Sequence, residues 1–217
     1  MSLKAQQSET TRTALIRVGR ALFTDPGYAA TSTEEIVRRA GMTRGALYHQ
    51  YEDKKDLFRA VFESVEQELD DQITRAVLRK TEPVAQMRAG IDAFLDALLD
   101  PTVRRIVVLD GPSVLGLQTW RRIDDSYAFR QVSGALHGLV AAQLLPDRAV
   151  GALAHLIVGA LNQAALAMAA ADDVQRARRE FGDAFDGMID AMLRLAPAKG
   201  RAQARSGRQP KRAARRQ

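Results

Sequence analysis

The stretch STEEIVRRAGMTRGALYHQY, residues 32–51, contains two short helical segments separated by a turn. Ser32 followed by Glu35 is the pattern of a capping box, which predicts the start of a helix. Gly41 is the residue type that ends helices in the left-handed conformation, and Thr43 can cap a second, shorter helix. The stretch therefore predicts a helix-turn-helix motif at residues 32–51.

The second helix of this motif has an apolar side and a polar side. Leu47 and Tyr51 are four residues apart and share one face, so we expect them to pack inward. Gly45 and His49 share another face, with Tyr48 beside them. A helix this short is not stable by itself, so its outward-facing residues are not there to stabilise the helix. We infer that this face contacts something outside the domain.

A DNA duplex fits the polar face. The free N–H groups at the helix N-terminus favour a phosphate, Gly45 allows close approach of a backbone, and Arg44 can pair with a phosphate or a guanine edge. Tyr48 and His49 can donate to a phosphate or touch a base. Lys54, at the start of the next helix, suits a flanking phosphate.

The threonines at the two helix starts can act as caps, as phosphate contacts or as both. The alternative is that all of these are ordinary surface residues. The predicted DNA-contacting set in the major groove is Thr33, Thr43, Arg44, Gly45, Ala46, Tyr48, His49 and Lys54.

The rest of the chain is predicted to be helical. Ala, Leu, Arg, Glu and Asp dominate, and no segment sustains the alternation of a strand. We predict an all-α protein of about nine helices, in which an N-terminal three-helix DNA-binding domain precedes a helical C-terminal domain. The first helix is expected at about residues 11–23. A short sixth helix is expected between Asp100-Pro101 and Gly111-Pro112, and the eighth is expected to open at Pro146.

The composition limits the classes of function. The chain has no Cys and three isolated His, so we expect no disulfide, no metal site and no cofactor. No run of about 18 apolar residues occurs and the first residues lack an apolar signal core, so we expect a cytoplasmic protein without a membrane span.

The formal net charge is +6, and residues 197–217 hold eight Lys or Arg and no acid. This segment is predicted to be a disordered basic tail, which serves either as a salt-sensitive DNA anchor or only as a soluble end.

Four motifs in register resemble the N-terminal domain of the tetracycline-repressor-like (TetR) family. They are F-x-x-x-G-Y-x-x-T at Phe23–Thr31, I-x-x-x-A-G at Ile36–Gly41, G-x-L-Y-x-x-Y at Gly45–Tyr51 and D-K-x-x-L-F at Asp53–Phe58. VVLDGPSVLG, residues 107–116, is similar to one branch of the family's divergent C-terminal domains. The predicted domains are a DNA-binding domain at 9–56, an effector-binding and dimerisation domain at 57–196 and the tail at 197–217.

The resemblance implies a homodimer in which the last two helices of each subunit form a four-helix bundle. Small residues on the eighth helix and apolar residues on the ninth are compatible with that arrangement. Asn162 and Gln163 can satisfy each other across the dimer seam, or Gln163 can face a ligand. The predicted interface residues are His155, Gly159, Asn162, Phe181, Phe185, Met188 and Met192.

The resemblance also implies an effector pocket enclosed by the fourth to seventh helices, with ligand binding that swings the fourth helix. The aromatic residues near it favour an apolar or aromatic small molecule, although each of them can equally be plain core. The predicted pocket residues are Phe62, Phe94, Leu117, Trp120, Tyr127 and Gln163.

Three classes of function remain to be compared. The leading hypothesis is a DNA-binding transcriptional regulator, a ligand-responsive repressor that binds a palindromic operator as a dimer. The alternative is an architectural DNA-binding protein without a small-molecule effector. An all-helical enzyme has little support, because the chain lacks Cys, a recognisable Ser-His-Asp order and a phosphate-binding glycine loop, so we predict that the protein is not an enzyme.

Overall fold

The computed structural model describes residues 3–147 and 150–195, so the predicted tail at 197–217 lies outside the described residues. Within these ranges the chain is helical and contains no strand, which confirms the all-α prediction. A π-helical segment, Val103–Asp110, lies between the fifth and sixth helices. The α-helices are α1 (Leu3–Thr24), α2 (Thr33–Ala40), α3 (Arg44–Gln50), α4 (Lys54–Leu78), α5 (Pro83–Ala97), α6 (Gly111–Leu115), α7 (Leu117–Ala141), α8 (Val150–Ala169) and α9 (Val174–Leu195).

Helices α1 to α3 and the start of α4 form a small N-terminal unit, called here the head. Its core contains Leu15 and Phe23 from α1, Ile36 from α2 and Leu47 from α3, all of them fully buried. Helix α1 begins at Leu3, about two turns before the predicted start. The added residues, LKAQQSET, contain no Gly or Pro, so nothing in them stops the helix from extending.

The helix ends in the head follow the local capping rules with one exception. Ser32 Oγ accepts the backbone N–H of Glu35 at 3.1 Å, and Gly41 ends α2 with φ of 66°. The Glu35 carboxylate, however, accepts hydrogen bonds from Arg38 and Arg39. Only the first half of the predicted capping box is therefore seen, because two guanidinium groups on the next turn compete for the carboxylate.

Helix α4 leaves the head and packs along α5 and α7 in the C-terminal domain. Its buried side includes Val61, Val65 and Leu69, together with the carboxylates Glu66 and Asp70. Asp70 accepts hydrogen bonds from Arg130 at 2.7 Å and from Gln131 at 2.8 Å, which ties α4 to α7. Helix α4 therefore packs in both domains, with its first turns in the head and the rest against α5 and α7.

Gly111 and Pro112 do not end a helix as predicted. The π-helical segment continues directly into α6, and Pro112 lies in the first turn of α6, where a missing N–H is tolerated. A Cβ at Gly111 would lie 2.8 Å from Phe62 Cε2 and 3.1 Å from Trp120 Cδ1. Glycine is therefore required here for close packing between α4, α6 and α7.

Helices α8 and α9 complete the C-terminal domain. Helix α8 begins after Pro146 rather than at it. Among the described residues α8 alone is long and apolar enough to cross a membrane by length and composition, but 39% of that window is buried inside the protein. Ala154, Leu161 and Met168 belong to the buried core, and a core helix has the same composition.

Candidate nucleic-acid interface and cavity

The position of α3 is set by two buried side chains and one cap. Leu47 is fully buried and Tyr51 nearly so, which confirms the predicted inward face. Thr43 Oγ1 accepts the backbone N–H of Ala46 at 3.2 Å, so its role as a cap is confirmed. The helix is only 7 residues long, and these contacts hold it against α1 and α2.

The opposite face of α3 is open. Arg44, Gly45 and His49 are exposed, and Tyr48 is 46% exposed, which is unusual for so large a side chain. A Cβ added at Gly45 would meet nothing closer than Thr43 Oγ1 at 3.8 Å. The structure therefore brings the central residues of the predicted DNA-contacting set onto one surface.

The first turns of α1 lie beside α3, which the sequence analysis missed. Ser8 Oγ accepts a hydrogen bond from Gln50 Nε2 at 2.9 Å. A shallow groove is lined by α1 residues from Ala5 to Thr11 and by Ala46 and His49 of α3. The absence of any helix breaker before Thr11 was the available signal.

Four residues from α2 and α3 form a polar cluster on the open face. Arg44 Nη1 lies 3.1 Å from Glu34 Oε1, and Thr33 Oγ1 donates to Glu34 Oε2 at 3.3 Å. Hydrogen bonds with Arg44 and then Thr33 lower the pKa of Tyr48 below its usual range. Tyr48 is in turn the main cause of the raised pKa of Arg44, followed by the charge of Glu34. Glu34 was not among the residues predicted for this surface.

Lys54 is turned inward, contrary to its predicted role as a phosphate contact. Its Nζ donates to the carbonyl oxygens of Tyr28 at 2.9 Å and Thr31 at 2.8 Å, and it lies 4.1 Å from the centre of the Tyr28 ring. Burial lowers the pKa of Lys54. The side chain ties the start of α4 to the turn between α1 and α2, while the neighbouring Lys55 is exposed.

A cavity of about 390 Å³ lies in the C-terminal domain between α5, α7, α8 and the π-helical segment. Four of the six predicted pocket residues, Phe94, Leu117, Trp120 and Gln163, line it. Gly159 and Asn162, predicted for the dimer interface, also line it, as does Arg121, which was not predicted. A smaller cavity of about 60 Å³ adjoins it and shares Phe94 and Asn162.

Phe62 and Tyr127 are not among the residues that line the larger cavity. Phe62 is fully buried and packs against Gly111, so it supports the wall from behind. The Tyr127 hydroxyl donates to Gln67 Oε1 on α4 at 3.4 Å, and burial raises the pKa of Tyr127. Helical periodicity places both near the cavity but does not show which way each side chain points.

The π-helical segment connects the cavity wall to the head. Val103, Val107 and Val108 line the cavity, and the carbonyl of Val107 accepts the Trp120 Nε1–H at 3.2 Å. At the other end, Asp110 Oδ2 accepts the backbone N–H of Tyr28 at 3.1 Å. The segment therefore contacts both the cavity wall and the turn before α2.

The residues predicted for the dimer interface are not all exposed. Met188 is 41% exposed, but Phe185 is 5% exposed and belongs to the core, so Phe185 does not lie on the exposed surface expected of the predicted dimer interface. Helix α9 contacts α5 and α8 within the same subunit. Phe181 and Met192 also pack against the core, and the exposed His155 lies with its ring 4.6 Å from that of Phe129.

The outward apolar surface of α8 was only partly predicted. Leu156 is 71% exposed and Leu166 is 46% exposed, and neither was singled out from the sequence. They flank Gly159 and Gln163, which are also exposed. Across the described part of the chain, no group of three or more His, Cys, Asp or Glu is placed to hold a metal ion.

Two family profiles match the chain. Residues 15–61 match the profile described as bacterial regulatory proteins, tetR family. Residues 84–192 match the tetracyclin repressor-like C-terminal domain. The two matches fall on the head and on the cavity-bearing domain.

Named relatives agree with these profiles. The regulator AcrR of Shigella flexneri is 29% identical over 104 residues, which is 48% of each chain. The regulator TtgR of Pseudomonas putida is 32% identical over 104 residues, 46% of this chain and 49% of its own. This chain is thus aligned with about half the length of these two relatives.

A solved structure extends the likeness to nearly the whole chain. A TetR-family transcriptional regulator from Pectobacterium atrosepticum superposes with a TM-score of 0.77 and 28% identity, covering 91% of this chain and 100% of its own. Relatives, profiles and structure all describe regulators rather than enzymes. The chain therefore belongs to the TetR family of helix-turn-helix DNA-binding transcriptional regulators.

Proposed function

We propose that this protein is a ligand-responsive repressor that acts in the bacterial cytoplasm and binds a palindromic DNA operator as a homodimer. The observation that carries the proposal is the open face of α3, where Arg44, Tyr48 and His49 project while Leu47 and Tyr51 are buried behind them. Residues 9–56 form the DNA-binding domain, and residues 57–196 bind the effector and the second subunit.

Operator binding follows from the size and chemistry of α3. A helix fits the major groove, and the N-terminal residues of a recognition helix face the bases. Arg44 supplies the fork of N–H groups that matches guanine, and Gly45 lets the helix approach closely. Two heads in a dimer would contact half-sites about one helical turn, ~34 Å, apart or slightly more.

Dimerisation is supported by the exposed apolar residues on α8 and α9. Leu156, Leu166 and Met188 lie on these two helices and are not covered within the described part of the subunit. Gly159 and Gly187 are open to solvent, so neighbouring helices can approach closely there. Exposed apolar residues of this kind indicate a surface that a partner covers.

An apolar or aromatic effector is supported by the larger cavity. Its volume of about 390 Å³ lies in the range of small-molecule sites. Valines from the π-helical segment, Phe94 and Trp120 form the apolar walls, and Arg121, Asn162 and Gln163 provide polar groups. Such a site binds the body of an apolar molecule and orients it through a few polar contacts.

The test is selection of DNA followed by substitution of the recognition helix. The full-length protein is incubated with a random duplex library, and the enriched sequence is compared with random duplex by fluorescence anisotropy. Arg44→Ala combined with His49→Ala is expected to weaken binding to the enriched sequence by at least about 100-fold, because two base-facing groups are lost.

The matched control is Arg176→Ala, which removes one exposed guanidinium from α9, far from α3. Its operator affinity should stay near that of the wild type. Absence of any enriched palindrome, or equal affinity of the double variant and the wild type, would refute the assignment of α3.

The basic tail favours a second candidate, an architectural DNA-binding protein. Residues 197–217 carry eight positive charges and no acid. Deletion of this segment separates the two candidates. A repressor would keep its preference for one sequence, whereas an architectural protein would lose most affinity and all preference together.

A further inference from the structure

Glu34 stands on the surface that is proposed to meet DNA. A carboxylate at this position is repelled by phosphates and lowers the affinity for any duplex. Glu34 lies in the first turn of α2, and its side chain reaches across to Arg44 at the start of α3. A residue that opposes binding needs another reason to be there.

The contact with Arg44 provides that reason. The side chains of Arg44 and Glu34 are 61% and 60% exposed, and an ion pair so open to water contributes little to folding. Thr33 Oγ1 donates to the same carboxylate, which helps to fix its direction. The effect of Glu34 therefore falls on the position of the Arg44 guanidinium.

We propose that Glu34 is a positioning residue for Arg44 and that it sets how strongly the protein prefers its operator over other DNA. This inference rests on the proposed function. A guanidinium has five N–H donors, so the contact through Nη1 leaves others for the edge of a guanine. Random DNA offers Arg44 only phosphates at most sites, and Arg44 must leave Glu34 to reach them.

Glu34 thus competes with the phosphate backbone but not with the correct base. The competition weakens non-specific binding more than operator binding, so the ratio of the two affinities rises. The same contact holds the guanidinium in a fixed direction before binding. Arg44 therefore loses less side-chain conformational entropy when it binds a base.

The experiment uses Glu34→Gln in the full-length protein, because glutamine keeps the size of the side chain and removes its charge. Affinity for random duplex should rise about three- to tenfold, and the salt slope should steepen by about one phosphate contact. Operator affinity should stay unchanged or fall, so the ratio of operator affinity to random-duplex affinity drops at least about threefold. Far-UV circular dichroism and the melting temperature should match the wild type, because the ion pair is exposed.

Two controls isolate the role of the pair. Glu68→Gln removes the same charge from an exposed ion pair with Arg20, away from α2 and α3. It should leave the specificity ratio unchanged. In an Arg44→Ala background, Glu34→Gln should no longer change the ratio, since the group that it positions is absent.

An unchanged ratio in Glu34→Gln, or an equal drop in the Arg44→Ala background, overturns the inference while leaving α3 as the recognition helix. A changed base preference at one position with an unchanged salt slope would show that Glu34 reads a base directly, which also overturns it. If the wild type enriches no sequence, the proposed function itself fails and the inference fails with it.

Discussion

Replacing Asp110 by Asn should loosen the connection between the head and the cavity-bearing domain. Asp110 Oδ2 accepts the backbone N–H of Tyr28 and the Nε–H of Arg105, each at 3.1 Å. The Arg105 guanidinium also lies over Gly27, where an added Cβ would be 2.0 Å from Nη2. Asparagine keeps the shape of the side chain but removes the charge and one acceptor oxygen.

The magnitude follows from how buried each partner is. The hydrogen bond to the Tyr28 N–H is part-buried, and weakening it costs about 1 kcal/mol. The Arg105 side chain is 38% exposed, so its ion pair with Asp110 adds at most about 1 kcal/mol after screening by water. We expect a loss of about 1–2 kcal/mol in the free energy of unfolding. For a chain of this size that corresponds to a melting temperature lower by roughly 2–8 °C.

The assay is urea unfolding at a fixed protein concentration, followed by far-UV circular dichroism and by the emission of Trp120. Trp120 is the only tryptophan in the chain and donates to Val107 in the same π-helical segment, so it reports on the region that Asp110 ends. The control is Asp71→Asn, which removes an exposed carboxylate that accepts from Gln67. It should cost less than about 0.5 kcal/mol. Equal losses in the two variants would refute the idea that Asp110 joins the domains.

Three further outcomes are expected. Thr43→Ala should lower the free energy of unfolding by about 1 kcal/mol because α3 loses its cap, whereas Thr43→Ser should retain it; equal values for both would contradict the capping role. Leu156→Glu should convert the dimer to a monomer in sedimentation velocity, while Leu78→Glu, 75% exposed at the end of α4, should not. A monomeric wild type would contradict the proposed interface. The aromatic dye 8-anilinonaphthalene-1-sulfonate, which carries one negative charge, should quench Trp120, and Ala165→Phe, which fills the cavity, should weaken this binding at least about tenfold. Quenching that is unaffected by Ala165→Phe would place the dye elsewhere.

The head was predictable from the sequence because its signals are local. Ser32, Thr43 and Asp53 each accept a hydrogen bond from a backbone N–H three residues later. Such contacts depend only on the neighbouring chain, so the residue pattern is enough to identify them. The burial of Leu47 follows equally from the spacing of apolar residues on one helix.

The directions of long side chains could not be predicted in the same way. Lys54 points inward because Tyr28 and Thr31 offer carbonyl groups from another part of the chain. Phe185 is buried because α9 turns that side toward α5 and α8, which periodicity alone cannot assign. The contact of Glu34 with Arg44 also joins two helices.

The break predicted at Gly111-Pro112 illustrates a different limit. The same dipeptide ends a helix when it lies at the C-terminus and is accepted when it lies in the first turn. Its meaning depends on the preceding segment, Val103–Asp110, whose π-helical hydrogen bonding has no clear residue signature. Local pattern alone therefore gave the wrong end for this helix.

The charged contacts between α5 and α9 have a consequence for assembly. Arg88 on α5 pairs with Asp186 and Asp190, and Arg178 on α9 pairs with Asp92 and Asp96. If α9 slid by one turn along α5, these contacts would be disturbed, so the arrangement favours the observed register.

Buried side chains of α9, Phe185 and Ile189 among them, also oppose such sliding, because a one-turn shift would move them out of their places in the core. The arginine contacts therefore act together with this packing to favour one alignment of α9. Since α9 also presents Met188 outward, its alignment inside one subunit would decide which surface the proposed second subunit meets. We therefore expect loss of the arginine contacts to change the surface that α9 would offer to a second subunit.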